Sequence, residues 1–424
     1  MRDVLTIVLA GAPGTHRLLA LSRVRTHASV PFGGGYRLID FTLSNCVHSG
    51  ITNIAVCTQH LPISLKAHIG VGRPWDLDRR DGGVRLLEPY SAGGATHWYQ
   101  GTADALAQNL EFIDNNRFNH ILVTAAAFVY NMDYRPLLDF HRVAGSDVTL
   151  VLKAMGPDKS RPYGTAHLGR GNMVVGLDEP GVVTENPYAS LGIYIFDRRY
   201  LVGRLKEAAS RGGTDIVTDV VIPSIAHAAV YAYLFYDYWM DVSSIAEYTD
   251  ATLELLGPAP PLALSDPAWP VFTKLYDDPP VKFGPGASVD NAIIADGCII
   301  NGRVENSVLF RRAYVEAGAT VKDAIVMDGS RVDAGAAVYG AILDKDVRVQ
   351  EGAQIGVDVG EPAVNRDYPH ELDRGITILG KGVKVPPAFA VGRNCLIDIG
   401  AGEEEFERVG GRAVVNGSSI LLDR

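Results

Sequence analysis

Two hydrophobic rhythms run along this 424-residue chain, and the change from one to the other divides it. Up to about residue 256, short apolar runs alternate with amphipathic stretches. Leu5–Ala10, Asn53–Cys57, His120–Thr124 and Asp147–Leu152 read as buried strands. Arg37–Gly50 reads as a helix that Gly50 ends in the position just past its last turn. Leu106, Leu110 and Ile113 share one helical face, which predicts a helix over Thr102–Asn115 with Thr102 as its N-cap. Alternating strands and helices predict an α/β domain: a mostly parallel sheet with helices on both faces. Ligands of such sheets sit beyond the carboxyl ends of the strands.

From residue 286 the period becomes six. Leu379, Val385, Val391 and Ile397 are evenly spaced, and Val326, Val332 and Val338 repeat the step, as do Val315/Val321 and Val349/Ile355. Glycines punctuate the turns between. This period fits a parallel β-helix, in which each face turns one side chain inward per six residues. Such solenoids serve mainly to stack and to make subunit contacts. Between the two rhythms, Gly257-Pro258-Ala259-Pro260-Pro261 and Asp278-Pro279-Pro280 read as linker. The expected division is therefore 1–256, a linker over 257–285, and 286–424, with residues 357–374 interrupting the period as an inserted loop. The run Glu403-Glu404-Glu405 with Arg408 reads as a solvated edge.

Composition narrows the function classes. Apolar residues make up 47% and charged residues 21%, as in ordinary soluble globular proteins. A formal charge of −10 argues against a general nucleic-acid or membrane binder. A phosphate-rich ligand would then need local cations, for which Arg17, Arg23 and Arg25 are candidates. Four cysteines (Cys46, Cys57, Cys298 and Cys395) lie in apolar contexts without metal-ligand spacing, as buried thiols in a reducing compartment would. No basic-then-apolar leader and no membrane-length apolar run is present, so a cytoplasmic location is expected.

The candidate chemistry begins after the first strand, at Gly11-Ala12-Pro13-Gly14-Thr15. Bare backbone amides in such a turn can face a phosphate, although a purely structural turn reads the same way. No Gly-Lys-Ser/Thr follows, so it is not a P-loop, and the dinucleotide spacing is absent. Further segments accompany it: Phe32-Gly33-Gly34-Gly35-Tyr36-Arg37, Ile39-Asp40-Phe41-Thr42-Leu43-Ser44-Asn45, Trp98-Tyr99-Gln100-Gly101-Thr102-Ala103-Asp104, Ser190-Leu191-Gly192, and Tyr238-Trp239-Met240-Asp241-Val242. Together they resemble the sugar-nucleotide pyrophosphorylases, most closely the glucose-1-phosphate adenylyltransferase (ADP-glucose pyrophosphorylase) family, over most of the chain. The resemblance implies a Rossmann-like nucleotidyltransferase domain followed by a left-handed parallel β-helix. It implies ATP and glucose 1-phosphate as substrates, ADP-glucose and pyrophosphate as products, and a place in glycogen- or starch-type glucan synthesis. It also implies Mg2+ in an active member, and a homo- or hetero-tetramer that in some cases includes non-catalytic subunits bound to an active paralogue.

Carried over residue by residue, the resemblance places Gly11, Ala12, Gly14, Thr15, Gly101 and Thr102 at the nucleotide. It places Tyr99, Gly164, Asp178 and Ser190 at the sugar phosphate, and Asp241 at the metal. Arg17 and His27 stand at the catalytic cation positions. Several of these depart from the family pattern. Ala12 replaces a glycine, Pro13 removes a backbone donor, and one inserted residue shifts Arg17. His27 stands in place of a lysine and is mostly neutral at pH 7; on general grounds it is also an ordinary surface-loop histidine. Glu179 stands where a lysine would meet phosphate, and Ala127 replaces the second metal-binding aspartate. Tyr99 and Ser190 have an alternative as hydrogen-bonding core residues. The expectation is a catalytically impaired subunit that binds these ligands or a related effector. An active adenylyltransferase with a reworked site and a ligand-sensing scaffold are the alternatives.

Overall fold

The computed structural model describes residues 1, 3–11, 16–89, 91–92, 95–96, 98–114, 117–156, 163–182 and 185–422. The N-terminal strand β1 (Val4–Leu9) is almost wholly buried and sits at the centre of a nine-stranded sheet. It pairs in parallel with β2 (Asn53–Cys57) on one side, and β2 in turn with β3 (Gly83–Leu87). On its other side β1 pairs in parallel with β4 (His120–Ala125). Three of the four expected apolar runs are thus the central parallel strands. Their buried faces read as continuous apolar stretches because helices cover both sides. Beyond β4 the long strand β9 (Tyr188–Asp197) runs antiparallel and carries the hairpin of β7 (Thr165–Leu168) and β8 (Val174–Asp178). It also pairs with β6 (Val148–Ala154), which pairs in parallel with β10 (Val230–Leu234). A separate two-stranded ribbon joins β5 (Phe128–Tyr130) to β11 (Trp239–Asp241).

The first helix, Leu38–His48, ends at Ser49, with Gly50 beyond it at φ +74°, as its sequence requires. The helix expected over Thr102–Asn115 is instead two, Thr102–Gln108 and Leu110–Ile113, broken at Asn109. Asn109 turns its amide back onto Ala105 O at 2.8 Å and Tyr99 Oη at 2.9 Å, competing with the helical ladder. Thr102 is not the N-cap, which falls on Gly101. The free N–H groups of Ala103 and Asp104 donate instead to the Thr214 carbonyl.

Residues 257–281 contain no helix or strand. The C-terminal part is a parallel β-helix. Val315, Val332 and Val349 stack at successive coils, as do Val321, Val338 and Ile355, all fully buried. Pairing residues lie 17 apart, so the six-residue step contracts to five once per coil, between Val321 and Val326 and between Val338 and Leu343. That tight corner falls at Asn306, Asp323 and Gly340, each with φ between 45° and 50°. Asn and Asp tolerate this left-handed backbone, and Asn306 Nδ2 donates to Asp323 Oδ1 at 2.6 Å, laddering the corner. After Ile355 the partner is Val391, 36 residues on, so residues between them bulge out while the register survives.

The domains share a core. Leu18, Phe32, Phe41, Tyr248 and Leu255 pack against Val308, Ile325, Ile342, Ile378 and Leu396, which point outward from one β-helix wall. Arg25 crosses the junction to make a buried, two-pronged pair with Asp344 (2.8 and 3.0 Å). Arg23 reaches Asp398 at 2.6 Å and Tyr368 Oη at 3.0 Å. These two arginines are therefore not phosphate cations beside the glycine turn, as charge alone suggested; each is drawn to a carboxylate of the second domain.

Candidate functional site

A cavity of about 350 Å³ opens where the central strands end. Leu9, Ala10 and Gly11 from the end of β1 form one wall, with Cys57 and Gln59 from the end of β2 and Ala125, Ala126 and Ala127 after β4. His27 and Ala28 close a second side, and Tyr99, Gln100, Gly101, Thr102, Ala105 and Asp215 a third. This is where an open α/β sheet places a ligand. Of the residues assigned to nucleotide, Gly11, Gly101 and Thr102 line the cavity. Ala12, Gly14 and Thr15 lie outside the described residues.

The third wall is held from behind. Gln59 brackets the Tyr99 backbone, accepting from its N–H at 2.8 Å and donating to its carbonyl at 3.0 Å. The Tyr99 hydroxyl accepts from Asn109, and burial pushes its pKa up to about 12. A Cβ on Gly101 would lie 2.5 Å from Thr214 O, so only glycine lets the chain pass. Thr102 Oγ1 donates to Asp215 at 3.0 Å and accepts from Ile216 N at 2.8 Å. Tyr99 and Thr102 therefore have structural partners of their own in addition to facing the cavity.

The sugar-phosphate candidates divide. Gly164, Asp178 and Ser190 meet on the β7–β8–β9 arrangement, where Ser190 N donates to Gly164 O at 2.8 Å. Ser190 Oγ lies 3.3 Å from Tyr194 Oη, and Asp178 is engaged by His167 Nε2 at 2.7 Å and Thr165 Oγ1 at 3.4 Å. Tyr99 lines the cavity instead. His27 is not a loose surface histidine: it is partly buried and its Nε2 donates to Val242 O at 3.0 Å. Burial lowers its pKa, leaving it a neutral donor rather than a cation. Arg17 is exposed and is not part of the cavity lining, although its charge is felt by Asp241 and Tyr163.

Asp241 ends β11, directly opposite Phe128, and Val242 N donates to Ala127 O at 3.2 Å. Ala127 is thus the cross-strand partner of Val242, one step from Asp241, and it lines the cavity with a methyl group as its only side chain. Phe128 fills the adjoining space, 4.9 Å from Trp239 and against Gly192, where a Cβ would come within 3.2 Å of its ring. Asp241 Oδ1 is buried without a hydrogen-bond partner. Burial, and then the nearby Glu247 carboxylate, push its pKa up to about 7. Glu247 itself caps the helix Ile245–Glu254, accepting from Ser244 N at 3.0 Å and Ser244 Oγ at 2.8 Å. Among the described residues no group of three or more His, Cys, Asp or Glu side chains could hold a metal ion. The donor set around Asp241 does not fit a resident Mg2+: this carboxylate is paired across the ribbon with Phe128, and the nearby Glu247 is committed to a helix end.

Sequence reasoning missed Gln59, Asp215 and Glu247. Gln59 follows the strand beside β1, where the rule for parallel sheets could have found it. Glu247 closes a Ser244-x-x-Glu247 capping box readable in the sequence. Asp215 carries no local signal, since its partner Thr102 lies 113 residues away.

No helix among the described residues is long and apolar enough to cross a membrane. Residues 5–257 match the Nucleotidyl transferase family, and residues 279–379 match the GlmU-like C-terminal hexapeptide family. A glucose-1-phosphate adenylyltransferase from Thermotoga neapolitana is 41% identical over 412 residues, 96% of either chain. One from Thermomicrobium roseum is 40% identical over 99% of this chain and 98% of its own. One from Pseudothermotoga lettingae is 38% identical over 99% of each. Identity at this level over nearly the whole length, joined to a nucleotidyltransferase sheet with its cavity at the strand ends and a hexapeptide β-helix behind it, places the chain in the glucose-1-phosphate adenylyltransferase family.

Proposed function

We propose that this chain is a catalytically impaired, regulatory-type member of its family, serving ADP-glucose formation for glycogen- or starch-type glucan synthesis in the cytoplasm. It assembles as a homo- or hetero-tetramer with an active paralogue and binds ATP, glucose 1-phosphate or a related effector without turning them over efficiently. The observation that carries this reading is Ala127, which pairs with Val242 one step from Asp241 and lines the cavity: it carries a methyl group, which neither ligates a cation nor moves a proton. A neutral His27 and a cavity lined, among the described residues, by neither lysine nor arginine support it. Nucleotidyl transfer depends on positioning and on charges that offset those of the phosphates.

A second reading, an active adenylyltransferase with a reworked site, is favoured by the closeness of Glu247 to Asp241 and by the names of the relatives. Mg2+ is required only under that reading. Pyrophosphate release by the purified chain with ATP, glucose 1-phosphate and Mg2+ separates the two. The proposal expects turnover at least about 1000-fold below an active relative, the loss of about 4 kcal/mol of barrier stabilisation, and a gain on Ala127→Asp with Glu179→Lys. Robust turnover that disappears in Asp241→Ala refutes it.

A further inference from the structure

At the ends of the strands opposite the cavity, two imidazoles meet. His120 opens β4, and His141 lies in the last turn of the helix Tyr134–Val143, with the ring centroids 5.1 Å apart and the planes at 87°. His141 is 1% exposed; its Nδ1 lies 2.8 Å from Thr149 Oγ1 on β6, and its Nε2 is buried without a hydrogen-bond partner. His120 Nε2 accepts from Arg142 Nε at 3.4 Å, and its Nδ1 is likewise buried without a partner. Arg142 reaches on to Asp3 Oδ2 at 2.6 Å, just ahead of β1. One small cluster thus joins the last turn of the helix to the starts of β1, β4 and β6. The first residue of the same helix, Tyr134, meets Tyr130 of β5 at 2.6 Å between hydroxyls, which ties the helix to the ribbon that ends in Asp241.

We propose that His120 and His141 form a proton-operated latch, closed while both rings are neutral and opened by their protonation, which releases the last turn of this helix from the strand starts ahead of the rest of the fold. Arg142 only donates, so neutral His120 accepts through Nε2 and carries its hydrogen on Nδ1. A second proton must enter at Nε2, where it turns the acceptor into a donor facing the guanidinium and breaks that contact. Protonated His141 would be a buried cation beside a second imidazole and Arg142. The carboxylates facing the pair are already engaged: Asp3 by Arg142, and Asp197, opposite His120 on β9, by Tyr200 N at 3.0 Å. Burial, and then the His120 charge, lower the His141 pKa to about 4, and burial, and then Arg142, lower that of His120. The folded state therefore disfavours the proton: the stability lent by the neutral pair is complete above pH 6.5 and is lost as pH falls toward 4.

Urea unfolding of the full chain at pH 7.5 and pH 5.0 tests it, beside His141→Asn, which retains a hydrogen-bonding partner for Thr149, and His227→Gln at an exposed position. With a free pKa of 6.5 and a folded one of about 4, His141 alone raises the unfolding equilibrium constant on the order of 30-fold between the two pH values. That part of the acid loss is expected to vanish in His141→Asn and to persist in His227→Gln. Hydrogen exchange of the wild type, corrected for the intrinsic rate, is expected to quicken at least 10-fold at pH 5.0 over residues 138–149 and 118–122, while β2 stays protected. If His141→Asn does not fold, Arg142→Gln answers instead: removal of the facing guanidinium is expected to shrink the ratio between the two pH values at least 3-fold. An acid loss in the folded variant within 3-fold of that of the wild type, or exchange that quickens evenly along the chain, overturns the proposal.

Discussion

Replacing Arg25 with alanine removes one half of an ion pair that joins the two domains. The guanidinium donates to both Asp344 oxygens at 2.8 and 3.0 Å, and the two side chains are 4% and 0% exposed. At an effective dielectric constant of 20 the gross attraction is about 6 kcal/mol. Much of it offsets the desolvation of both ions, so the pair itself contributes little net stability. The asymmetry lies in breaking it, because Arg25→Ala strands a buried carboxylate. Lys345 is no substitute, since its Nζ is held by Asp328. The expected cost is about 3–5 kcal/mol. The neutral pair Arg25→Gln with Asp344→Asn keeps a hydrogen bond across the junction. The side-chain oxygen that Asp344→Asn retains still accepts from Lys345 N, as Asp344 Oδ1 does at 2.7 Å. The double variant is expected to cost less than about 2 kcal/mol. Urea unfolding followed by tryptophan fluorescence, with limited proteolysis of the 257–281 segment as a second readout of domain parting, measures both. A single variant costing less than about 1 kcal/mol, or a double variant as unstable as the single, refutes the reasoning.

Other expectations follow from the site and the solenoid. Asp241 has a folded pKa of about 7 against an ordinary 3.8, so its favourable contribution is complete below about pH 4 and is lost as pH rises through 7. Asp241→Asn should therefore raise stability at pH 8 by roughly 2–4 kcal/mol and by little at pH 4.5, read as the difference in urea midpoints; an equal gain at both pH values contradicts the shift. Gly101→Ala should cost more than about 2 kcal/mol and weaken any cavity ligand, because its Cβ falls 2.5 Å from the Thr214 carbonyl; an unchanged melting temperature would show that the backbone yields there. Val338→Ala, at a fully buried stacked position, should cost about 2–3 kcal/mol of β-helix stability by thermal denaturation, and a cost below about 0.5 kcal/mol would mean that the coil collapses onto the void.

Much of this fold is written in local pattern. The apolar runs at Leu5, Asn53, His120 and Asp147 became strands because burial on both faces leaves no place for polar residues. Periodic valines became stacked coils for the same reason. What pattern could not supply was partnership across long separations. Arg23 and Arg25 are indistinguishable from phosphate-binding cations until Asp398 and Asp344 are brought to them. The break at Asn109 depends on Tyr99 Oη, offered from outside the helix. Ala127 was different: its meaning depended on the position opposite it, and the ribbon pairing puts Asp241 beside that position. One signal went unread. Val308-Leu309, Ile325-Val326, Ile342-Leu343, Ile378-Leu379 and Leu396-Ile397 pair two large apolar residues at five successive coils of one wall, whereas Arg331-Val332, Arg348-Val349 and Lys384-Val385 on another place a charged residue beside the inward one. A strand apolar on both sides has a neighbour on both sides, and that doubling marks the wall that meets the first domain.

The doubled wall makes the solenoid a poor candidate for life as a separate piece. Its outward row of Val308, Ile325, Ile342, Ile378 and Leu396 runs up the stack at the spacing of neighbouring strands, about 4.8 Å, and the first domain covers it. A fragment cut at the proline-rich segment would expose a straight, unbroken greasy ladder on a flat parallel sheet, the geometry that invites strand-on-strand aggregation. The N-terminal domain therefore acts as a permanent lid on a sticky surface as well as housing the cavity. Loss of its fold anywhere near Phe32 or Tyr248 would be felt first as precipitation of the half that carries none of the candidate site.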